Sequence, residues 1–241
     1  MSNPVALNSV THKDLLIIRE HNSKLNETTM MVLALPFEFR RLQHEYPIVF
    51  YKDECQQFHA VALLGLEQNE NLYLSESGWD ANYVPLMIER QPFLLGMREP
   101  DQNGERQPVI LVDMDSPKVS DVEGERVFLP HGGHSDYLQY VSDVLAAIRE
   151  REQETLAFHQ ALVRHELLES FFLDVSLHGD DNHRLSGFYT INEERLAALA
   201  DDAIIELQRS GMLALIHYVL ASQANFADLI ERKKARVTTG G

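Results

Sequence analysis

The chain has 241 residues, a net charge of −16 and a pI near 5.0, with 44% hydrophobic and 24% charged residues. A surface this negative repels phosphate backbones, so no nucleic-acid partner is expected. The longest apolar runs, MMVLALPF (30–37) and AVALLGL (60–66), are too short to span a bilayer, and no membrane insertion is expected either.

Cys55 is the single cysteine, so no intrachain disulfide can form and a reducing compartment fits best. The opening stretch MSNPVALNSVTHKD has neither the basic flank nor the apolar core of a signal peptide, and a cytoplasmic location is the expectation. The basic run ERKKAR (231–236) reads as a complement to the negative end of the last helix rather than as a polyanion site.

In chain order, DLLIIRE (14–20), MMVLALP (30–36), PIVFYK (47–52) and FHAVALLGLE (58–67) read as strands, being apolar and β-branched runs between polar stretches. FEFRRLQHE (37–45) is helix-like: Phe39, Leu42 and Tyr46 recur at helical spacing, and Pro47 ends it. EQNEN (67–71) reads as a hairpin turn leading into NLYLSES (71–77). ANYVPLMIERQ (81–91) predicts a short helix, FLLGM (93–97) a strand, PDQNGERQP (100–108) a loop and VILVDMD (109–115) a buried strand.

Near residue 130 the period changes. Tyr137, Val141, Val144, Leu145 and Ile148 share a helical face, and the helix is expected to reach about Leu167. ESFFLDVSL and RLSGFYTI flank HGDDNH (178–183) as a hairpin near 171–191. NEERLAALA and DDAIIELQRSG follow as short helices, each expected to start with a capping side chain, and Gly211 suits a left-handed cap. MLALIHYVL and NFADLIERKKA close the chain as helix. The pattern is α+β: a mostly β first part (1–130) with short helical insertions, and a mostly helical second part (131–241) containing one β-hairpin. One continuous domain could hold both.

LPHGGHSDY (129–137) places His131, His134 and Asp136 around a glycine pair, the atom types of a catalytic zinc site. Zincin histidines, however, stand four apart on a rigid helix. The competing reading is a helix start: Gly132-Gly133 makes the turn, Asp136 caps, and Gln139 completes a capping-box-like pair. His178 and Asp180 resemble half of an iron facial triad, but Asp, Asn and Gly are also what a hairpin loop uses. VILVDMDSP ends a strand in Asp113 and Asp115, without the doubly wound sheet that phosphotransfer would need. Cys55 and His59 lie in strand-like sequence with nothing to activate a thiol, and His217 reads as a core histidine.

Aromatic and proline residues concentrate in EYPIVFY (45–51), GWDANYVP (78–85) and RQPFLL (90–95). Such surfaces bind extended peptides well, and an aromatic core is the alternative. Trp79, the only tryptophan, sits in a loop-like stretch with Tyr83 and Pro85, and Tyr73 is close in sequence. These four are the candidate binding residues, with Trp79 expected to be at least partly exposed.

EFRRLQHEYPIVF (38–50), VALLGLEQNENLYLSESGWDANYVPLMIERQPFLLG (61–96), VDMDSPKVSDVEGERVFL (112–129) and LSGFYTINEERLAALADDAIIELQRSGML (185–213) together resemble the SapC family of bacterial proteins, over nearly the whole chain. The family name comes from an association with a paracrystalline surface layer. For this sequence neither a secretion signal nor glycine-aspartate calcium repeats are expected. Members are similar to proteins encoded beside flavin-dependent halogenase-like enzymes, cupin-like oxygenases and outer-membrane receptors, which implies an accessory role in peptide or protein modification. The resemblance supplies no catalytic residues. The reading is therefore a non-catalytic protein that binds a peptide or partner protein and needs no cofactor. Its alternative is an enzyme using a divalent metal at His131, His134 and Asp136.

Overall fold

A computed structural model describes residues 2–25, 28–98, 107–176 and 182–239. Helix accounts for 37% and strand for 26%, with sheets in the first part and helices dominating the C-terminal part, so the fold is mixed α+β. The chain divides into two compact units that alternate along the sequence. The first takes residues 1–27, 76–78 and 86–150; the second takes 28–75, 79–85 and 151–241.

In the first unit, strand Pro108–Asp113 is flanked by Pro4–Ala6 and Phe93–Met97, both antiparallel to it. A smaller ladder sets Leu16–Ile17 between Val119–Ser120 and Glu125–Arg126. The core joins Ile17, Phe93, Val112 and Val127 to Tyr137, Leu138, Val141 and Leu145 of the helix Asp136–Glu150. That helix has an apolar stripe at spacings of three and four, and burying it places residues 136–150 with the preceding strands. The change of period at residue 130 is thus not where the fold divides. The last passage between units falls at Arg151, where the expected long helix breaks into Asp136–Glu150 and Glu152–Arg164.

The second unit is built on a five-stranded sheet. Its order is Leu168–Ser176, Asn182–Ile191, Ile48–Lys52, Phe58–Leu63 and Met31–Leu33, with neighbours antiparallel. The expected hairpin near 171–191 is present. The one expected after EQNEN is not: Phe58–Leu63 pairs on both edges with other strands, and only Leu74–Ser75 of NLYLSES is a strand. The sheet and helices share a core that includes Phe39, Leu42, Tyr46, Ile48, Phe50, Phe158, Ile216 and Leu229.

Helices Glu193–Ala197, Asp201–Arg209, Met212–Ser222 and Asn225–Thr239 follow the hairpin. The Asn192 side chain caps the first of them by accepting the Arg195 N–H at 2.7 Å. The second has Ala200 at its cap position and no capping side chain, so Asp201 is already helical. Gly211 does adopt the left-handed conformation, at φ +76. His217 is exposed rather than in the core. Among the described residues, Met212–Thr238 is long and apolar enough by composition to cross a membrane. It breaks at Gln223–Ala224, where polar side chains seat it: Ser222 Oγ accepts the Ile48 N–H at 2.9 Å, and Asn225 Nδ2 donates to the Gln43 carbonyl at 2.8 Å.

Candidate functional site

The aromatic group resolves into a hydrogen-bonded stack in the second unit. Tyr46 is fully buried because the short helix Phe39–Leu42 and the following turn press its face into the core, with Tyr46 N–H bonded to the Leu42 carbonyl. Tyr73 lies against it with ring centroids 4.6 Å apart, and its hydroxyl donates to the Glu45 carbonyl at 2.7 Å. Trp79 donates its indole N–H to Tyr46 Oη at 2.8 Å, and Tyr46 in turn donates to the Tyr83 carbonyl at 2.5 Å. The Tyr83 hydroxyl reaches the buried carboxylate of Glu38 at 2.7 Å, and Arg41 lies 5.4 Å from the Tyr83 ring centre. Burial raises the Tyr46 and Tyr73 phenols well above their ordinary values, so both stay protonated and able to donate.

Of the four candidate binding residues, Trp79 and Tyr83 are half-buried, whereas Tyr73 and Pro85 are buried. The core alternative therefore holds for Tyr73 and Pro85, which lie beneath the surface. Trp79 lies in the two-residue strand Gly78–Trp79 rather than in open loop. What fastens it was not legible as a site. Glu45 accepts the Asn82 N–H with both carboxylate oxygens, at 3.0 and 2.9 Å. Arg232, on the last helix, bonds the Asp80 carboxylate at 2.5 Å and its carbonyl at 3.0 Å, and lies 4.4 Å from the Tyr73 ring centre.

Most of the ERKKAR cations are thus spent on the preceding chain. Lys233, itself buried, pairs with Glu67 at 2.9 Å and Glu70 at 2.8 Å, and Arg236 donates to the Leu74 carbonyl. Lys234 pairs with Glu231 within the helix. Their use as a mere complement to the helix end is corrected by these contacts.

The HGGH segment folds as a helix entry in the first unit. Gly132 and Gly133 take φ of +88 and +93, consecutive left-handed values that only glycine adopts freely, and the Leu129 N–H meets the Gly133 carbonyl at 3.0 Å. Ser135, not Asp136, is the cap: its Oγ accepts the Leu138 N–H at 3.1 Å. The Ser135 N–H is held by the Val127 carbonyl at 3.2 Å, which keeps this residue outside the helix, and Asp136 becomes the first helical residue. Gln139 bonds Asp143 instead of closing a capping box. His131, His134 and Asp136 are all exposed, and no group of three or more His, Cys, Asp or Glu among the described residues is placed to hold a metal ion.

Residues 178–181 of HGDDNH lie outside the described residues. Asp113 is engaged by the N-terminal segment, with the Asn3 N–H at 2.7 Å and Ser2 Oγ at 2.8 Å; those bonds, the Asn3 one first, hold its carboxyl below the usual range. Cys55 is exposed in the turn between Ile48–Lys52 and Phe58–Leu63. His59 bonds Asp53 at 2.8 Å and stacks on Tyr51. His159, 6.2 Å from His59 between ring centres, has a buried Nε2 with no hydrogen-bond partner among the described residues. Burial, helped by His59, pushes His159 down to about 4.

A family model described as SapC matches residues 7–229. No curated protein and no solved structure matches the chain.

Proposed function

The chain belongs to the SapC family, and from that premise we propose that it is a non-catalytic accessory protein whose Trp79 face binds an extended peptide or partner protein. The observation that carries the reading is the state of the Trp79 indole. Its N–H is already satisfied by Tyr46, while the residue remains partly exposed. A partner covering it gains apolar contact without stripping water from an unpaired donor. Because Tyr46, Glu45 and Arg232 fix the loop beforehand, little ordering entropy is lost on binding. The net charge of −16 favours a basic partner by speeding its approach. The setting we assign is cytoplasmic, beside modifying enzymes of halogenase or oxygenase type and without a cofactor of the chain's own.

The test is a library of extended basic and proline-bearing peptides, selected on the native chain and counter-selected on Trp79→Ala. Retained peptides should shift the emission of the single tryptophan and lose more than about 2 kcal/mol of affinity in the variant. Peptides that bind both proteins equally, or none retained at all, defeat the reading.

A further inference from the structure

We infer that Arg232 is the positioning residue of the Trp79 face: one guanidinium on the last helix fixes the indole from two directions. From one side it grips Asp80, the residue after Trp79, through the carboxylate at 2.5 Å and the backbone carbonyl at 3.0 Å. From the other it lies 4.4 Å from the Tyr73 ring centre, and Tyr73 packs on Tyr46, whose hydroxyl receives the indole N–H at 2.8 Å. The backbone next to Trp79 and the acceptor of its N–H are therefore both referred to the same cation, 152 residues further along the chain.

A planar fork is what this geometry needs. Arginine can place two N–H groups on Asp80 while its face stays on a ring, and an ammonium cannot. Arg232 is only partly exposed, and Lys233 and Arg236, which follow it on the same helix, are bonded to Glu67, Glu70 and the Leu74 carbonyl, so the helix is itself anchored along residues 67–80. A movement of the C-terminal helix would be carried to the indole through this one side chain. The consequence for affinity rests on the reading of Trp79 as a contact face; the positional claim does not.

The single tryptophan makes the claim measurable on the full chain without any ligand. Arg232→Met should raise acrylamide quenching of Trp79 severalfold and lower its steady-state anisotropy. Arg232→Lys, which keeps a cation over Tyr73 but loses the fork, should fall between that variant and the native chain. Lys234→Met removes the same charge from the same helix, where its ion pair is with Glu231, and should leave both signals native. If Arg232→Met behaves like Lys234→Met, the inference is overturned. Should Arg232→Met fail to fold, a native Trp79 signal in folded Arg232→Lys overturns it equally. A disturbed Trp79 signal in Arg232→Met, together with unchanged peptide binding, would sustain the positional claim and sink the binding function instead.

Discussion

The Trp79 loop and the Leu129–Asp136 turn both set chemically capable side chains beside glycine, yet they are held by different means. Residues 79–83 are gripped from outside: Tyr46 takes the indole N–H, Glu45 takes the Asn82 N–H, and Arg232 takes Asp80. The turn is held by its own backbone, through the Leu129–Gly133 bond and the Phe128–His134 bridge, and leaves His131 and His134 exposed. A loop fixed by distant side chains presents one geometry to a partner. A loop fixed only by its peptide groups leaves its side chains to solvent, whatever atoms they carry. Motif chemistry and site geometry are separable, and here the less conspicuous motif has the geometry.

The sharpest way to break this contrast is at Tyr46. Tyr46→Ala empties a fully buried aromatic position and should cost about 3–5 kcal/mol, read as a fall in the denaturant midpoint. Tyr46→Phe keeps the ring but leaves the Trp79 N–H and the Tyr83 carbonyl without this partner, at about 1–3 kcal/mol. A Phe variant of native stability would mean that the hydrogen bonds holding the loop are dispensable.

His159 offers a contrast of its own with the exposed histidines of the turn, because it is half-buried and its Nε2 is buried with no hydrogen-bond partner among the described residues. Its folded value is lowered to about 4, mainly by burial. The sign follows directly. Below the unfolded value of about 6.5 the unfolded chain binds a proton that the native ring refuses, so stability falls as pH drops from there towards 4 and then levels off. The loss is on the order of 2–3 kcal/mol across that window. His159→Phe, measured by urea unfolding at several pH values, should flatten that part of the curve; an unchanged slope would show that the ring protonates in the native state.

Local chemistry explains how much could be read in advance. Apolar and β-branched runs between polar stretches gave the strands Ile48–Lys52 and Phe58–Leu63, and the glycine pair gave the turn before Asp136–Glu150, because each depends on neighbours in sequence. The cap was misplaced by one residue, since the Val127 carbonyl that holds Ser135 outside the helix lies eight residues back, across the turn. The break at Arg151 has no proline or glycine to announce it. Trp79 stood out by rarity and by its surroundings. Arg232 did not, because nothing in ERKKAR tells which cation will meet Asp80 from 152 residues away.

At the turn itself the expected effects are smaller. Ser135→Ala should cost about 1 kcal/mol as a lost N-cap bond. Asp136→Ala should cost about 0.3–1 kcal/mol, because a carboxylate in the first turn acts only through the helix dipole. Chemical denaturation of both variants checks the order. If Asp136→Ala proves the more damaging, the cap has been assigned to the wrong residue.

The smallest effect belongs to the histidines. Three exposed side chains hung on a turn with two left-handed glycines would have to be drawn together against solvent and chain entropy before any cation met them. Stable zinc sites instead present ligands already oriented by a supporting shell. Zinc titrated into the untagged protein should therefore shift the melting temperature equally in the native chain and in the double variant His131→Ala, His134→Ala. A shift present in the native chain and absent from the variant would show that this turn does organise a metal, and would restore chemistry to the region where the geometry provides least for it.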